Sequence, residues 1–164
     1  MRTFVVSMVA LVASAVAVVP VAADTQFAFT AVINGAQENP PVQSPSTGVG
    51  FFVFDKDNLN LCYRISYTPL TSNEIAAHIH GPAAPGVNAA ILHPISPTPS
   101  PFGSPKHGCV VLTKDEAKSL AKGLLYFNVH STDFPNGESR GQILPEHVKY
   151  KAAALASPAG AFLE

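Results

Sequence analysis

Short segments in which apolar and polar residues alternate constrain this chain more than any other feature of its sequence. The clearest one covers residues 59–67, where every second residue from Leu61 onward is apolar or aromatic. Because the side chains of a strand point alternately to its two faces, this pattern indicates a strand with one buried face. Residues 50–54 form a second such segment, and the polar residues 55–58 fit a turn between the two. We therefore expect a hairpin here.

Further segments of the same kind follow along the chain. The other predicted strands are 27–32, 75–80, 109–112, 124–130 and 142–144. Between them lies a single predicted helix, with Thr113 as its N-cap, Glu116 completing a capping box and Gly123 ending it. Several short strands separated by turns, with one short helix, predict a mainly β fold, an antiparallel β-sandwich. The proline-rich stretch 81–106 is predicted to be its long loop, in which only residues 89–92 are able to pair.

The first 23 residues have the features of a secretory signal peptide. Arg2 gives a positive start, residues 4–19 are uncharged and apolar, and small residues at 21–23 suit a cleavage site. The apolar run is shorter than the roughly 20 residues that a membrane span needs. We therefore expect residues 1–23 to be removed. The mature chain should be secreted or periplasmic, with no membrane span, a domain over 24–145 and a mobile tail over 146–164.

The cysteine count fits that location. Cys62 and Cys109 are the only two cysteines, and an even pair in an oxidising compartment is predicted to form a disulfide. Such a bond would close a loop of about 48 residues and stabilise the fold by about 4 kcal/mol. The alternative is that the thiolates bind a metal, although the two cysteines lack the close C-x-x-C spacing of a zinc site.

Charge and motifs exclude several classes of function. The chain has 10 Lys and Arg residues against 11 Asp and Glu residues. No basic cluster is present that would neutralise phosphates, so nucleic acid is not an expected partner. The sequence also has no nucleophile elbow, no glycine-rich phosphate loop and no H-E-x-x-H motif. A binding protein is therefore expected rather than an enzyme.

Four motifs, in this order, resemble those of the chordin-type (CHRD) domain. They are 35–42 (GAQENPPV), 77–83 (AHIHGPA), 126–131 (YFNVHS) and 136–143 (NGESRGQI). The resemblance spans residues 27–144 and implies an extracellular β-sandwich of the immunoglobulin-like or superoxide-dismutase-like kind. Growth-factor binding by chordin also involves cysteine-rich modules, which are missing here, so that activity is not inferred. Ser139 stands where the family more often has an aliphatic residue, which matters only if the position faces the core.

Three histidines in these motifs form a candidate metal site. His78 and His80 are two residues apart on a predicted strand and share a face, while His130 lies on another strand. If the two strands are neighbours and their apolar residues face the core, the three imidazoles converge. Neutral imidazole suits copper and zinc. Copper is favoured, because His-x-His in an exported β-sandwich is similar to the copper-site strand of copper-zinc superoxide dismutase. The first hypothesis is thus an exported module that binds a transition metal.

Other interpretations of the same residues stay open. His93 and His107, in or beside the proline-rich loop, are candidates for a fourth metal ligand. Alternatively, the imidazoles belong to a structural polar network, and the domain is a cell-surface or extracellular protein-interaction module. The other members of that network would be Glu38, Asn128, Glu138 and Arg140. A third hypothesis is a copper-dependent redox enzyme resembling superoxide dismutase, with Arg140 steering an anion.

Overall fold

A computed structural model describes residues 25–96 and 101–146 of the chain. The strands are β1 (Gln26–Asn34), β2 (Thr47–Asp55), β3 (Asn60–Tyr67), β4 (Glu74–His80), β5 (Ile91–Ser96), β6 (Lys106–Val111), β7 (Leu125–Ser131) and β8 (Ser139–Pro145). The helix is α1 (Lys114–Ala121), and a short 3-10 turn covers Gly35–Gln37. The predicted signal peptide, 1–23, and the predicted tail beyond Glu146 lie outside the described residues.

All of these strands belong to one antiparallel sheet, in the order β5-β4-β7-β8-β1-β2-β3-β6. The sheet curls until it is nearly closed, which confirms the predicted mainly β, sandwich-like fold with one helix. Alternate residues of each strand point inward. The fully enclosed core side chains include Ile33, Phe52, Leu61, Ile65, Ile79, Phe127, Val129 and Ile143. Side chains on one face of every strand therefore pack in the core, and the other face can carry polar groups.

The local predictions for the hairpin and the helix are confirmed. Strands β2 and β3 pair in register from Asp55 and Asn60 onward. The Thr113 hydroxyl accepts a hydrogen bond from the Glu116 amide, and the Glu116 carboxylate accepts one from the Thr113 amide, which completes the capping box. Gly123 follows with a φ of +68°. Among residues 25–96 and 101–146, no helix has the length and apolar character needed to cross a membrane.

The prediction for the proline-rich stretch 81–106 is partly wrong. Residues 91–96 form strand β5, which pairs with β4, and β6 already begins at Lys106. Pro94 made this segment resemble a loop because proline has no amide hydrogen to donate to a sheet. However, β5 is the first strand in the sheet order, and an edge strand tolerates proline.

The two cysteines are joined by a disulfide, as predicted. Cys62 on β3 and Cys109 on β6 are direct partners in the ladder, with their Cα atoms 3.9 Å apart. Neither thiol is left free among the described residues, so the alternative of a thiolate metal site is not supported. The bond fastens the edge strand β6 to its only neighbour in the sheet.

The two edges of the sheet are connected by a buried polar group, here called the closure cluster and formed by Tyr67, Glu74, Ser96 and Lys106. Lys106 on β6 is fully buried, and its Nζ atom lies 2.7 Å from the Glu74 carboxylate on β4. Tyr67 and Ser96 each donate a hydrogen bond of 2.6 Å to the same carboxylate, and Lys106 also donates to Ser96 on β5. The cluster therefore bridges β6 and β5, which no ladder of backbone hydrogen bonds connects.

Candidate metal centre

Adjacent strands β4 and β7 bring the three histidines together. In the antiparallel pairing, Ala76 faces His130 and His78 faces Asn128. The residues between them, Ile79 on β4 and Val129 on β7, are fully buried in the core. The imidazoles therefore lie on the opposite face of the sheet, as the alternation predicts.

The ring nitrogens are close enough to share one ion. His78, His80 and His130, called the histidine cluster below, each offer one ligand nitrogen, and these atoms lie within 4.8 Å of one another. The closest pair is His78 Nδ1 and His130 Nε2, at 3.0 Å. His80 and His130 are only 7% and 8% exposed, while His78 is half-buried. Among residues 25–96 and 101–146, these three form the single such group.

Backbone carbonyls fix the orientation of two of the rings. His80 Nδ1 donates to the Ala89 carbonyl, and His130 Nδ1 donates to the Pro135 carbonyl, each at 3.0 Å. Because a carbonyl only accepts, both Nδ1 atoms carry the proton and both Nε2 atoms carry a lone pair. His80 Nε2 is buried and has no hydrogen-bond partner within the described part of the chain. Sequence reasoning could not find the two carbonyls, since any residue supplies one.

Burial keeps the cluster uncharged. It lowers the pKa of His78 to about 4, with a further contribution from the neighbouring His130 and His80 rings. Burial also lowers the pKa values of His80 and His130, although their carbonyl contacts oppose this. At neutral pH the imidazoles are therefore neutral, the form that binds metal ions.

Tyr126 and Arg140 support the cluster from β7 and β8. The Tyr126 ring stacks on the His80 ring, with centroids 4.8 Å apart and planes 4° apart. Its hydroxyl accepts a hydrogen bond from the Ala89 amide, so it also holds the residue whose carbonyl orients His80. The Arg140 guanidinium lies 3.4 Å from the Tyr126 ring centroid. Tyr126 belongs to a strand motif and shares a face with Asn128 and His130, so the alternation could have identified it.

The Arg140 guanidinium is itself engaged. It donates to the Val87 carbonyl at 2.9 Å and to Asn88 Oδ1 at 3.3 Å, and Arg140 is only 1% exposed. It therefore fastens the segment before β5 to the sheet. The same residue lines a cavity of about 400 Å³ together with Glu38 and Gln142.

Glu38 and Asn128 adjoin the histidine cluster. Asn128 Oδ1 lies 3.0 Å from His130 Nε2; because that nitrogen carries a lone pair in the tautomer set by the Pro135 carbonyl, both atoms are acceptors and the contact is not a hydrogen bond. The Asn128 amide group hydrogen-bonds with the Glu38 carboxyl. Glu38 is 7% exposed, and its Oε1 atom has no hydrogen-bond partner within the described residues. Burial raises the pKa of Glu38 to about 7, against the opposing effects of the Arg140 charge and the Asn128 amide.

Glu138 does not join this group. Its carboxylate accepts hydrogen bonds from the Ser44 hydroxyl at 2.6 Å and from the Thr71 amide at 2.8 Å. These contacts connect two loops to the residue before β8. A hydrogen bond from the Ser131 side chain and those from Ser44 and Thr71 together outweigh burial, so the pKa of Glu138 is lowered. The adjacent Ser139 is fully buried, and its hydroxyl donates to the Ser46 carbonyl, which explains how a polar residue is accommodated there.

Neither candidate for a fourth ligand joins the cluster. His93 Nε2 lies 3.3 Å from the Glu116 carboxylate of helix α1, because its position on β5 directs the ring toward the helix. His107 is exposed on β6, opposite Arg64. The arrangement is thus three neutral imidazoles, a set that could hold a metal ion.

Comparison with known proteins identifies the family of this chain. The family model for the CHRD domain matches residues 29–143. No curated protein and no solved structure gives a significant match. The matched range covers nearly the whole sheet and includes every residue of the histidine cluster. The chain therefore belongs to the CHRD domain family.

Proposed function

We propose that this protein is an exported binding module that holds a transition-metal ion through His78, His80 and His130. The observation that carries the proposal is the orientation of the rings. Metal-ligating histidines usually donate their second ring nitrogen to a carbonyl or carboxylate, which fixes the tautomer. His80 and His130 both do so here, and each leaves an Nε2 lone pair within the cluster.

Copper is favoured over zinc as the bound ion. Imidazole nitrogen suits both metals, but copper(II) binds a given set of ligands more tightly than zinc does. The three ligands carry no charge, and no thiolate is available nearby, since both cysteines are in the disulfide. In this proposal a solvent molecule completes the coordination of the ion.

Binding, rather than redox catalysis, is the proposed activity. A copper-dependent enzyme that steers an anion with Arg140 would need that guanidinium to be accessible. Its hydrogen bonds with Val87 and Asn88, and its contact with the Tyr126 ring, favour a structural role instead.

Export is a separate part of the proposal. A disulfide between Cys62 and Cys109 fits an oxidising compartment, and residues 1–23 are proposed to be a signal peptide. Expression of the full chain, followed by fractionation and N-terminal sequencing, tests this. A mature protein that begins near Asp24 outside the cytosol is expected. An intact N-terminus in the cytosol would refute it.

The metal proposal is tested on purified mature protein. We expect one equivalent of copper or zinc to bind by elemental analysis and by titration. Binding should be lost in the double variant His78→Ala/His80→Ala. His107→Ala is the matched control, because it removes an exposed imidazole on another strand and should leave binding unchanged. A wild-type protein that takes up neither ion would rule the proposal out.

A second candidate function is an extracellular protein-interaction module whose histidines are structural. It is favoured by a group of exposed apolar side chains on the outer face of three adjacent strands, β8, β1 and β2. These residues are Val32, Val49, Phe51, Val53 and Leu144. Under this hypothesis the His78→Ala/His80→Ala protein loses stability without metal, and no ion binds to the wild type.

A further inference from the structure

A divalent ion in the histidine cluster would need a compensating negative charge. The three ligands are neutral, and a charge transferred from water into a buried site is costly unless an opposite charge lies close by. The neighbouring Arg140 adds to this cost, because its guanidinium is buried and forms no ion pair within 4.0 Å among the described residues. Its positive charge already lowers the pKa of His80.

Most carboxylates near the cluster are already committed to other partners. Glu74 acts on His130 electrostatically, but it is paired with Lys106 at 2.7 Å. Glu138 is held by Ser44 and Thr71. Asp133 is exposed and lines, with Glu38, a separate cavity of about 220 Å³.

Glu38 is different from all of these. A single side chain, Asn128, separates it from the cluster, since the Asn128 amide contacts both the Glu38 carboxyl and His130 Nε2. One carboxyl oxygen is buried without a partner. Gly137 packs against this carboxyl so closely that a Cβ atom there would lie 2.6 Å from Oε1. The structure thus holds Glu38 in place without supplying a hydrogen-bond donor to Oε1 from the described residues.

We propose that Glu38 is the counter-ion of the metal centre, a buried carboxylic acid that releases its proton to solvent when a divalent ion binds to the three imidazoles. This inference rests on the proposed metal-binding function. In the balanced step, one M²⁺ enters, one H⁺ leaves and the carboxylate remains, so the local charge rises by one unit rather than two. The raised pKa of about 7 is consistent with the acid form in the metal-free protein.

The proton itself is the quantity to measure. Metal-free mature protein is titrated with copper(II) chloride or zinc chloride in a pH-stat at about pH 6 and again at about pH 8.5. Wild type is expected to release about one proton more per bound ion than Glu38→Gln at the lower pH. At the higher pH the two proteins should release the same number, because Glu38 is already ionised and any further proton comes from metal-bound water. A merely structural glutamate would not produce this pH dependence.

Glu38→Gln separates this proton from any that the histidines release. The variant should still bind the ion, with an affinity about 10- to 100-fold lower, but the proton released at about pH 6 should disappear. Glu116→Gln is the matched control, because glutamine also completes a capping box. It should release the same number of protons as wild type.

A measurement on the wild type covers the case in which Glu38→Gln fails to fold. The infrared difference spectrum should show loss of the C=O band of a protonated carboxyl group when metal is added. Metal binding without this loss, or with equal proton release by wild type and Glu38→Gln, would overturn the counter-ion role alone. If the wild type binds neither ion, the inference falls together with the proposed function.

Discussion

The sheet holds two buried polar clusters that differ in how fully their groups are satisfied. In the closure cluster, the Glu74 carboxylate is bound by Lys106, Tyr67, Ser96 and the Gly103 amide. Beside the histidine cluster, His80 Nε2 and one Glu38 oxygen are buried without partners. A satisfied cluster contributes to one well-defined fold, whereas buried unsatisfied atoms are costly and point to a ligand. We infer that the closure cluster stabilises the fold, whereas the histidine cluster and the adjoining Glu38 are arranged for binding.

Glu74 and Glu38 respond to pH in opposite directions, whereas the histidine cluster responds as Glu74 does, because burial lowers the pKa values of its imidazoles. The hydrogen bonds from Lys106, Ser96 and Tyr67 outweigh burial and lower the pKa of Glu74, so its contribution to stability is lost as the pH falls. Burial raises the pKa of Glu38, so its contribution is present at low pH and is lost as the pH rises through about 7.

The largest expected effect comes from breaking the closure cluster. Lys106→Met leaves the Glu74 carboxylate buried without its cation, which should cost about 3–5 kcal/mol of the free energy of unfolding. Urea unfolding with the disulfide intact measures this loss. The double variant Lys106→Met/Glu74→Gln is the control and should recover part of the stability, because no unpaired charge remains. A single variant as stable as wild type would show that the pair does not hold the two edges together.

The next effect tests the opposite behaviour of Glu38. Its pKa of about 7 in the folded protein, against an ordinary value of 4.5, favours the folded state below about pH 4.5. That advantage should disappear above about pH 7, a change on the order of 3 kcal/mol. Glu38→Gln lacks it. Between about pH 4.5 and 8 the unfolding free energy of metal-free wild type should therefore fall relative to that of the variant.

The difference between the two proteins is the relevant measurement, since Glu74, Glu138 and the three histidines titrate in both and their contributions cancel. Parallel curves across this pH range would show that Glu38 is not buried as an acid.

Sequence alone predicted the strands, the capping box, the disulfide and the convergence of His78, His80 and His130, because each depends on local periodicity or on a short motif. It allowed pairing only at residues 89–92 and therefore missed most of β5, since tolerance of Pro94 depends on a place at the sheet edge. It also grouped Glu138 with the histidines, although Glu138 binds Ser44 and Thr71. Which buried polar group meets which partner depends on strand order, and strand order is a long-range property.

Metal binding gives the third expected effect. An ion present at a hundred times its Kd should raise the free energy of unfolding by about 2.7 kcal/mol, because it binds only the folded protein. Thermal unfolding with and without copper measures this gain. It should vanish in His78→Ala/His80→Ala and persist in Tyr67→Phe, which alters only the closure cluster. If Tyr67→Phe abolished the gain, the two clusters would not be independent.

The smallest expected effects come from a matched pair of tyrosines, one beside each cluster. Tyr67 donates to the ionised Glu74 carboxylate at 2.6 Å, a charge-assisted bond worth about 1.5–3 kcal/mol. Tyr126 accepts from the neutral Ala89 amide at 3.1 Å, a bond worth about 1 kcal/mol. Tyr67→Phe should therefore destabilise the metal-free protein more than Tyr126→Phe does.

Metal affinity should show the reverse order, because Tyr126 positions the residue whose carbonyl orients His80. If Tyr67→Phe weakened metal binding more than Tyr126→Phe does, the assignment of the closure cluster to stability and of the histidine cluster to binding would be wrong.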